Sequence, residues 1–240
     1  MIMLYDALFI LIIFLSNIIQ TITGFAGTAL AMPLSLRLEG AETAKPVLNL
    51  VALLVSVYVV ATHFKEIDWK NFLIILISVG IGFGVGYLVE LIPMEGKILL
   101  YVYGSIVILV SILFFFIDFE KVNLPKWVMI IFLFLGGIMH KLYVSGGPFV
   151  VIYGLHEIKD KNKFRATLSL LWIILNSMLF TTQMIQGLFT THVWALFGIG
   201  AAATVLSLVI GSLIAPRLSK KLFLKITCVL LFISGVTLFI

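Results

Sequence analysis

Charged residues are scarce in this chain: 16 lysines and arginines and 11 aspartates and glutamates among 240 residues, or 11% of the sequence. A soluble globular domain carries about 25% charged residues and is about half apolar, whereas 62% of this chain is hydrophobic. Because a body of this size cannot hide so much apolar surface from water, the composition excludes a water-soluble fold. The solvent of this protein must be largely lipid.

Cysteine is nearly absent, since Cys228 is the single one. One cysteine in an apolar run can form neither a disulfide framework nor a zinc cluster. No G-x-x-x-x-G-K-[ST] phosphate loop occurs, so we expect no ATP hydrolysis, and no spacing predicts a cofactor or a metal. The basic residues stand in short clusters between apolar runs, as in the cytoplasmic loops of membrane proteins. The formal net charge of +5 therefore does not indicate a nucleic-acid partner.

Long apolar runs dominate what is present. A helix needs about 20 such residues to cross a hydrocarbon core of about 30 Å. Six segments have that length: residues 46–62, 71–91, 98–117, 164–186, 193–215 and 222–240. Two more, 7–36 and 127–155, are too long for a simple crossing and contain polar residues and glycines at their centres. The sequence therefore predicts an all-α, polytopic integral membrane protein with about eight segments, two of them broken or re-entrant.

The two long segments stand in equivalent positions of an internal duplication. Residues 27–36 align with 146–155, and Asn49 then falls on Ser169. We therefore predict two homologous repeats of four segments, each beginning with its broken segment. The predicted boundaries are residues 1–117 for the first transmembrane repeat, 118–126 for the connecting loop and 127–240 for the second repeat.

The paired breaks predict a binding site. Non-helical backbone at membrane depth survives only where protein buries it or where it lines a wet cavity. Interrupted helices in matching positions of two repeats indicate the substrate site of a transporter. We therefore predict a substrate site where the two breaks meet, near the membrane midplane. The alternative is that the glycines only permit close packing or a kink.

The charge pattern favours an anionic substrate. All eleven acidic residues lie in loops or at segment ends, whereas Lys141 lies deep in its segment beside His140. An ionisable residue within the membrane is a functional candidate, and half-helix N-termini add partial positive charge. Alternatively, Lys141 extends into a wet vestibule and binds nothing. The predicted substrate-binding residues are Gln20, Thr21, Thr23, Gly24, Phe25, Gly27, Asn49, His140, Lys141, Ser145, Gly146, Gly147, Ser169 and Asn176.

Motifs in both halves carry a family resemblance. They are Gln20, Thr23-Gly24-Phe25 and Pro33 in the first half, and His140, Ser145-Gly146-Gly147-Pro148, Tyr153, Lys161, Phe164-Arg165-Ala166-Thr167-Leu168, Trp172 and Asn176 in the second. Together they resemble the TauE/SafE permeases, the sulfite-exporter-like family, over essentially the whole chain. The resemblance implies a secondary transporter of small anions, with sulfite, sulfonates and related organosulfur compounds as the substrate class. Ala26 and Lys141 depart from it, since we expect glycine at both positions.

Other functions remain open at this point. An anion channel would use the same cavity as a carrier. An intramembrane serine hydrolase would need Ser145 as nucleophile and His140 or His192 as base, but we expect a protein that is not an enzyme. The expected partners are the small anion, the lipid bilayer and a coupling proton or ion, for which His140 is the titrating candidate. Homodimer formation is left open.

The basic residues also predict the orientation of the chain. If both broken segments are hairpins, twelve of the fifteen basic residues other than Lys141 fall on one side, and if both cross the membrane, eleven do. Either way the positive-inside rule predicts a multi-pass protein of the cell membrane with both termini outside the cytoplasm. The arrangements differ at residues 65–70, which are cytoplasmic only for hairpins. Hairpins also make the repeats inverted, which we favour because inversion is common among carriers.

Overall fold

The structure, a computed structural model, describes residues 2–23, 26–92, 96–119, 122, 124–214 and 220–240. Within these ranges the regular elements are helices, which confirms the all-α prediction. The α-helices are α1 (Ile2–Thr23), α2 (Gly27–His63), α3 (Trp69–Glu90), α4 (Gly96–Phe116), α5 (Lys126–Tyr143), α6 (Gly147–Glu157), α7 (Lys161–Ile185), α8 (Thr191–Ile214) and α9 (Lys220–Val236); 3₁₀ helices span Phe64–Glu66 and Thr237–Phe239. Among the described residues, seven helices are long and apolar enough to cross a membrane. The protein is therefore polytopic.

The chain forms two compact units, and each draws on both halves of the sequence. The first unit comprises Met1–Leu48, Pro93–Asp118 and Thr191–Ile240, and the second comprises Asn49–Ile92 and Phe119–Thr190. In the first unit α1 packs on α8 and α4 packs on α9. In the second unit α3 packs on α5 and α7, and α5 packs on α6. The repeat boundaries expected from the sequence stay a prediction.

Glycines set the close approach of α3 and α5 in the second unit. A Cβ atom added at Gly82 would overlap the carbonyl oxygen of Phe134, and one added at Gly137 would overlap that of Val79. Small residues of this kind let membrane helices pack backbone against backbone. Gly82 and Gly137 therefore serve helix packing, because a methyl group at either position would push the two helices apart.

Each break in the helices has a local cause. After α5, Val144 adopts the left-handed conformation (φ 54°) and donates its N–H to the carbonyl oxygen of His140 at 2.8 Å. Pro148 then lies in the first turn of α6, where a missing N–H costs no helical hydrogen bond. Within α2, Gly40 interrupts the helix with φ 72° and ψ 172°, a conformation that favours glycine. The expected segment 46–62 is thus the part of α2 that follows this interruption.

The two ends of each broken segment lie close together. In the second unit, His156 near the end of α6 hydrogen-bonds through Nε2 to the carbonyl oxygen of Val122, just before α5, at 2.7 Å. In the first unit, side-chain oxygens of Asp6, near the start of α1, and Glu39, just before Gly40, lie within 4.8 Å of each other. Each broken segment therefore ends close to the point at which it begins.

The connection between α2 and α3 is anchored within the second unit. The carboxylate of Asp68 accepts hydrogen bonds from the backbone N–H of Asn71 at 3.1 Å and from its side-chain amide at 3.0 Å. These bonds stabilise the charged carboxylate and lower the pKa of Asp68. The N–H of Asp68 donates to Thr167 on α7 at 3.0 Å, and Tyr153 on α6 donates to Asn71 at 2.8 Å. This anchoring fixes the start of α3.

Candidate functional site

Four polar side chains meet in the interior of the second unit: Asn49 of α2, His140 of α5, and Asn176 and Gln183 of α7. Nε2 of His140 lies 2.9 Å from Oδ1 of Asn176. Nδ2 of Asn49 donates to Oε1 of Gln183 and to the backbone oxygen of Asn176, both at 3.1 Å. All four residues are buried. We call this group the amide–imidazole cluster.

One face of α7 supplies half of the cluster. Asp160 starts this helix by accepting hydrogen bonds from two backbone N–H groups of the first turn, each at 2.9 Å. Ser169, Asn176 and Gln183 then follow at intervals of seven residues. Seven residues are close to two helical turns, so the three side chains line the same face. All three are buried, which makes this an internal polar stripe.

Aromatic rings position the imidazole of His140. Trp172 stacks on it with 4.8 Å between ring centroids and 25° between planes, and the centroid of Phe83 lies 6.3 Å away. With Oδ1 of Asn176 as the acceptor, Nε2 of His140 carries a hydrogen, and Nδ1 is the other ring nitrogen available for a ligand. The ring therefore packs against aromatic side chains, and its two nitrogens are its polar edges.

Three atoms of the cluster are buried without a hydrogen-bond partner among the described residues. They are Oδ1 of Asn49, Nδ1 of His140 and Nδ2 of Asn176. Buried polar atoms are nearly always paired because leaving one unpaired costs about 1–3 kcal/mol. The amide oxygen is an acceptor, the amide nitrogen is a donor, and the imidazole nitrogen is either, depending on protonation. The cluster can therefore bind a small polar molecule that offers both donor and acceptor atoms.

The predicted break residues of the second half adjoin this cluster along the chain. Gly146 is the residue before α6, and a Cβ atom on it would overlap the carbonyl oxygen of Gly136 and would lie 2.9 Å from Cβ of His140. Glycine is thus required here by helix packing. Gly147 is the first residue of α6, and Ser145 is buried and bonded within the protein. Their contact with a substrate stays a prediction.

Lys141 follows His140, and its surroundings differ from the sequence expectation of an uncompensated cation. Its ammonium group forms an ion pair with Glu90 at the end of α3. The ammonium nitrogen also lies 4.2 Å from the ring centroid of Tyr87, a favourable cation–π position. Because Glu90 already neutralises the ammonium, Lys141 attracts a second anion less strongly than an unpaired lysine would. Its role in substrate binding stays a prediction.

The predicted ligands from the first break belong to the first unit. Gln20 accepts the backbone N–H of Gly27 at 2.6 Å and so caps the start of α2. Thr21 donates its hydroxyl to the carbonyl oxygen of Asn17 at 2.7 Å within α1. The side chain of Thr23, together with Gly24 and Phe25, lies outside the described residues. Both observed bonds are made within the first unit.

The structure thus brings together three of the predicted residues, Asn49, His140 and Asn176. It adds Gln183, which the sequence analysis did not select because it lies near a helix end. Its spacing of seven residues from Asn176 is the signal that could have identified it. Trp172 was noted for the family resemblance alone, and its stacking on His140 gives it a structural role in the site.

The helices and this buried cluster define an all-α, multi-pass membrane protein with an internal polar site. The profile of the family described as "Sulfite exporter TauE/SafE" matches residues 9–238. The chain therefore belongs to the TauE/SafE family, which is a family of membrane transporters. No curated protein and no solved structure matches the chain significantly.

Proposed function

We propose that this protein is a secondary transporter of small sulfur-containing anions, such as sulfite, sulfonates or related organic anions, and that it is not an enzyme. The observation that carries the proposal is the amide–imidazole cluster, in which three buried polar atoms lack partners among the described residues. Membership of a transporter family supports the same function. The unpaired donor and acceptor atoms lie in a part of the molecule where water competes little for them.

The cluster suits a protonated oxyanion. The amide N–H of Asn176 can donate to an anionic oxygen, and the amide oxygen of Asn49 can accept the hydrogen of an S–OH group, as in bisulfite. His140 can donate through Nδ1 when it is protonated. Binding of the anion and of a proton would then favour each other, which makes the proton our proposed coupling ion. Trp172 supplies an apolar wall for the carbon chain of a sulfonate.

We include the remaining predicted ligands in this proposal because the sequence pattern predicts them. Ser145 and Gly146 immediately precede α6, Gly147 begins it, and Ser169 lies on the same face of α7 as Asn176. Lys141 contributes a charge shared with Glu90. The ligands proposed from the first break, which rest on the sequence pattern alone, are Gln20, Thr21, Thr23, Gly24, Phe25 and Gly27.

Counterflow in proteoliposomes tests the proposal. Vesicles preloaded with unlabelled sulfite are expected to accumulate radiolabelled sulfite from a dilute external pool, with saturation and without ATP. Accumulation against the label gradient requires a carrier, because a channel only equilibrates the label. The proposal fails if protein-containing vesicles take up sulfite and small sulfonates no faster than empty ones.

A hydrolase is the alternative from another class, and the geometry gives it no support. Nε2 of His140 lies against Oδ1 of Asn176, and Nδ1 has no hydrogen-bond partner in the described part of the chain. A serine nucleophile needs a base within hydrogen-bonding distance. We therefore favour transport.

His140→Gln is expected to flatten the pH dependence of transport between about pH 5 and 8, the range in which histidine normally titrates. Glutamine keeps a polar group but cannot take up a proton. The groups that contact the imidazole are Asn176, Trp172 and Phe83, none of which titrates in this range. Initial uptake rates of a small sulfonate, which unlike bisulfite does not titrate in this range, measure the effect in proteoliposomes at equal internal and external pH.

The matched control is His63→Gln, at a histidine that bonds to the neighbouring Thr62 and lies outside the cluster. This variant is expected to keep the pH profile of the parent protein. If His140→Gln also keeps it, His140 does not provide the coupling proton.

The close ends of the broken segments support an inverted orientation of the two repeats. A hairpin adds no crossing, so each repeat would cross the membrane three times and the second would enter from the opposite side. The positive-inside rule then favours both termini outside the cytoplasm and residues 65–70 within it. We propose this topology for a protein of the cell membrane.

Cysteine labelling before and after α3, in the 3₁₀ helix Phe64–Glu66 and at the start of α4, distinguishes the topologies. In a Cys228→Ala background, Lys65→Cys is expected to resist a membrane-impermeant maleimide in intact cells and to react after permeabilisation. Lys97→Cys, at the start of α4, is expected to react in intact cells. Both lysines are exposed. Simple crossing of both long segments predicts the reverse pattern, and observing that pattern would refute the hairpin topology.

A further inference from the structure

A second cluster of chemically active side chains lies in the first unit. It shares no residue with the amide–imidazole cluster. It consists of Asp6 near the start of α1, Glu39 just before the interruption at Gly40, and His192 at the start of α8. Nε2 of His192 lies 3.6 Å from Oδ1 of Asp6 and 3.5 Å from Oε2 of Glu39. One donor atom from each of the three lies within 4.8 Å of the others.

The two contacts of His192 with the carboxylates are longer than hydrogen bonds and close to the spacing of metal ligands. An N–H···O hydrogen bond measures about 2.7–3.2 Å, shorter than both contacts of His192. Two ligands that each bind a tetrahedral Zn²⁺ at about 2.1 Å lie about 3.4 Å apart. The separations of 3.5 and 3.6 Å match this spacing, so small side-chain movements would complete the coordination.

Unpaired oxygen atoms point to a ligand as well. The side chain of Glu39 is only 8% exposed. Its Oε1 atom and Oδ1 of Asp6 are buried and have no hydrogen-bond partner among the described residues. A buried carboxylate is strongly disfavoured unless it is paired or coordinates a metal. A divalent cation bound by both carboxylates would supply the positive charge that pairs with them.

We propose that Asp6, Glu39 and His192 bind a divalent transition-metal ion of the zinc class. An imidazole nitrogen with two carboxylate oxygens suits such an ion, whereas Mg²⁺ and Ca²⁺ prefer ligand sets made of oxygen. One divalent charge balances the two carboxylates. His192 is 44% exposed, which leaves a route for the ion and a fourth position for water.

The bound ion would join three distant parts of the sequence. It would connect the first turns of α1, the end of the first part of α2 and the start of α8. Because a ligand that binds the folded state stabilises it, the site would act as a clip that holds the first unit together. This role does not depend on which anion the protein transports.

Metal titration of the purified full-length protein tests the proposal. The protein is isolated with an affinity tag that contains no histidine and is stripped with a chelator. We expect one Zn²⁺ per chain by isothermal calorimetry, a rise in the thermal unfolding midpoint with Zn²⁺ but not with Mg²⁺, and a visible absorption band when Co²⁺ is substituted. Glu39→Gln and His192→Ala are each expected to weaken Zn²⁺ binding at least tenfold.

His63→Ala serves as the control, because this histidine belongs to the second unit and lies outside the cluster; it is expected to leave Zn²⁺ affinity unchanged. Since His192 is largely exposed, His192→Ala is expected to fold, and its unfolding midpoint without metal checks this. The proposal is overturned if the protein does not bind Zn²⁺. It is also overturned if neither Glu39→Gln nor His192→Ala weakens the binding. Calorimetry measures binding without transport, so failure here leaves the proposed transport function unaffected.

Discussion

Asn176→Leu is expected to reduce transport at least 100-fold while the protein still inserts into the membrane. Leucine has nearly the shape of asparagine but lacks its amide, so the donor proposed for the anion disappears. The hydrogen bond to Nε2 of His140 disappears with it. Both ring nitrogens of His140 are then buried without the partner that Asn176 provided. A 100-fold loss corresponds to about 2.8 kcal/mol, at 1.4 kcal/mol for each factor of ten.

Concentration-dependent uptake of labelled sulfite by proteoliposomes measures this effect, with protein content determined for each preparation. Asn17→Leu is the matched control, because Asn17 is also a buried asparagine within a membrane helix. Its amide donates to the carbonyl oxygen of Ile13 in its own helix at 2.8 Å, so this variant is expected to transport. If Asn176→Leu transports sulfite with the kinetics of the parent protein, the amide–imidazole cluster is not the substrate site.

Gly82→Ala is expected to have the largest effect on stability. The added methyl group would overlap the carbonyl oxygen of Phe134 in α5, and a backbone atom cannot rotate away as a side chain can. Overpacking typically costs about 1–3 kcal/mol and occasionally more, and this contact lies at the upper end because two helices must separate. At about 2–4 °C per kcal/mol, the thermal midpoint should fall by about 6–12 °C, or the folded protein should be lost.

Gly84→Ala provides the control within the same helix. Gly84 lies only two residues further along α3, but it is exposed and a Cβ atom there would meet nothing within 4 Å. Because alanine favours a helix more than glycine does, this variant is expected to keep or raise the midpoint. Thermal unfolding in detergent, followed by size-exclusion chromatography, compares the two. Equal midpoints would show that α3 and α5 do not pack through Gly82.

Features that depend on local composition could be predicted from the sequence. The membrane environment follows from hydropathy, because transfer of apolar side chains from water depends on their total area and hardly on the fold. The break after α5 follows from glycine and proline, whose backbone limits act within a few residues. Asn49, His140 and Asn176 were predicted because polar groups in apolar segments are costly and therefore rare.

The partners of those polar groups could not be predicted in the same way. Gln183 bonds to Asn49 across 134 residues of sequence, and Glu90 reaches Lys141 across 51. Each pairing depends on how far one helix is rotated and shifted against another. A uniformly apolar segment leaves that rotation undefined, since it has no polar face to mark the side that packs inward.

By itself, the sequence determined that this protein is an α-helical membrane protein with two broken segments and a few costly polar residues inside them. Hydropathy, glycine and proline act over short stretches of chain, so these features do not require a three-dimensional arrangement. Only the tertiary structure decided that Lys141 is neutralised by Glu90, that Gln183 completes the amide–imidazole cluster, and that Asp6, Glu39 and His192 meet. Such encounters are set by the packing of helices distant in sequence, in which a rotation of one helix by a fraction of a turn changes every partner.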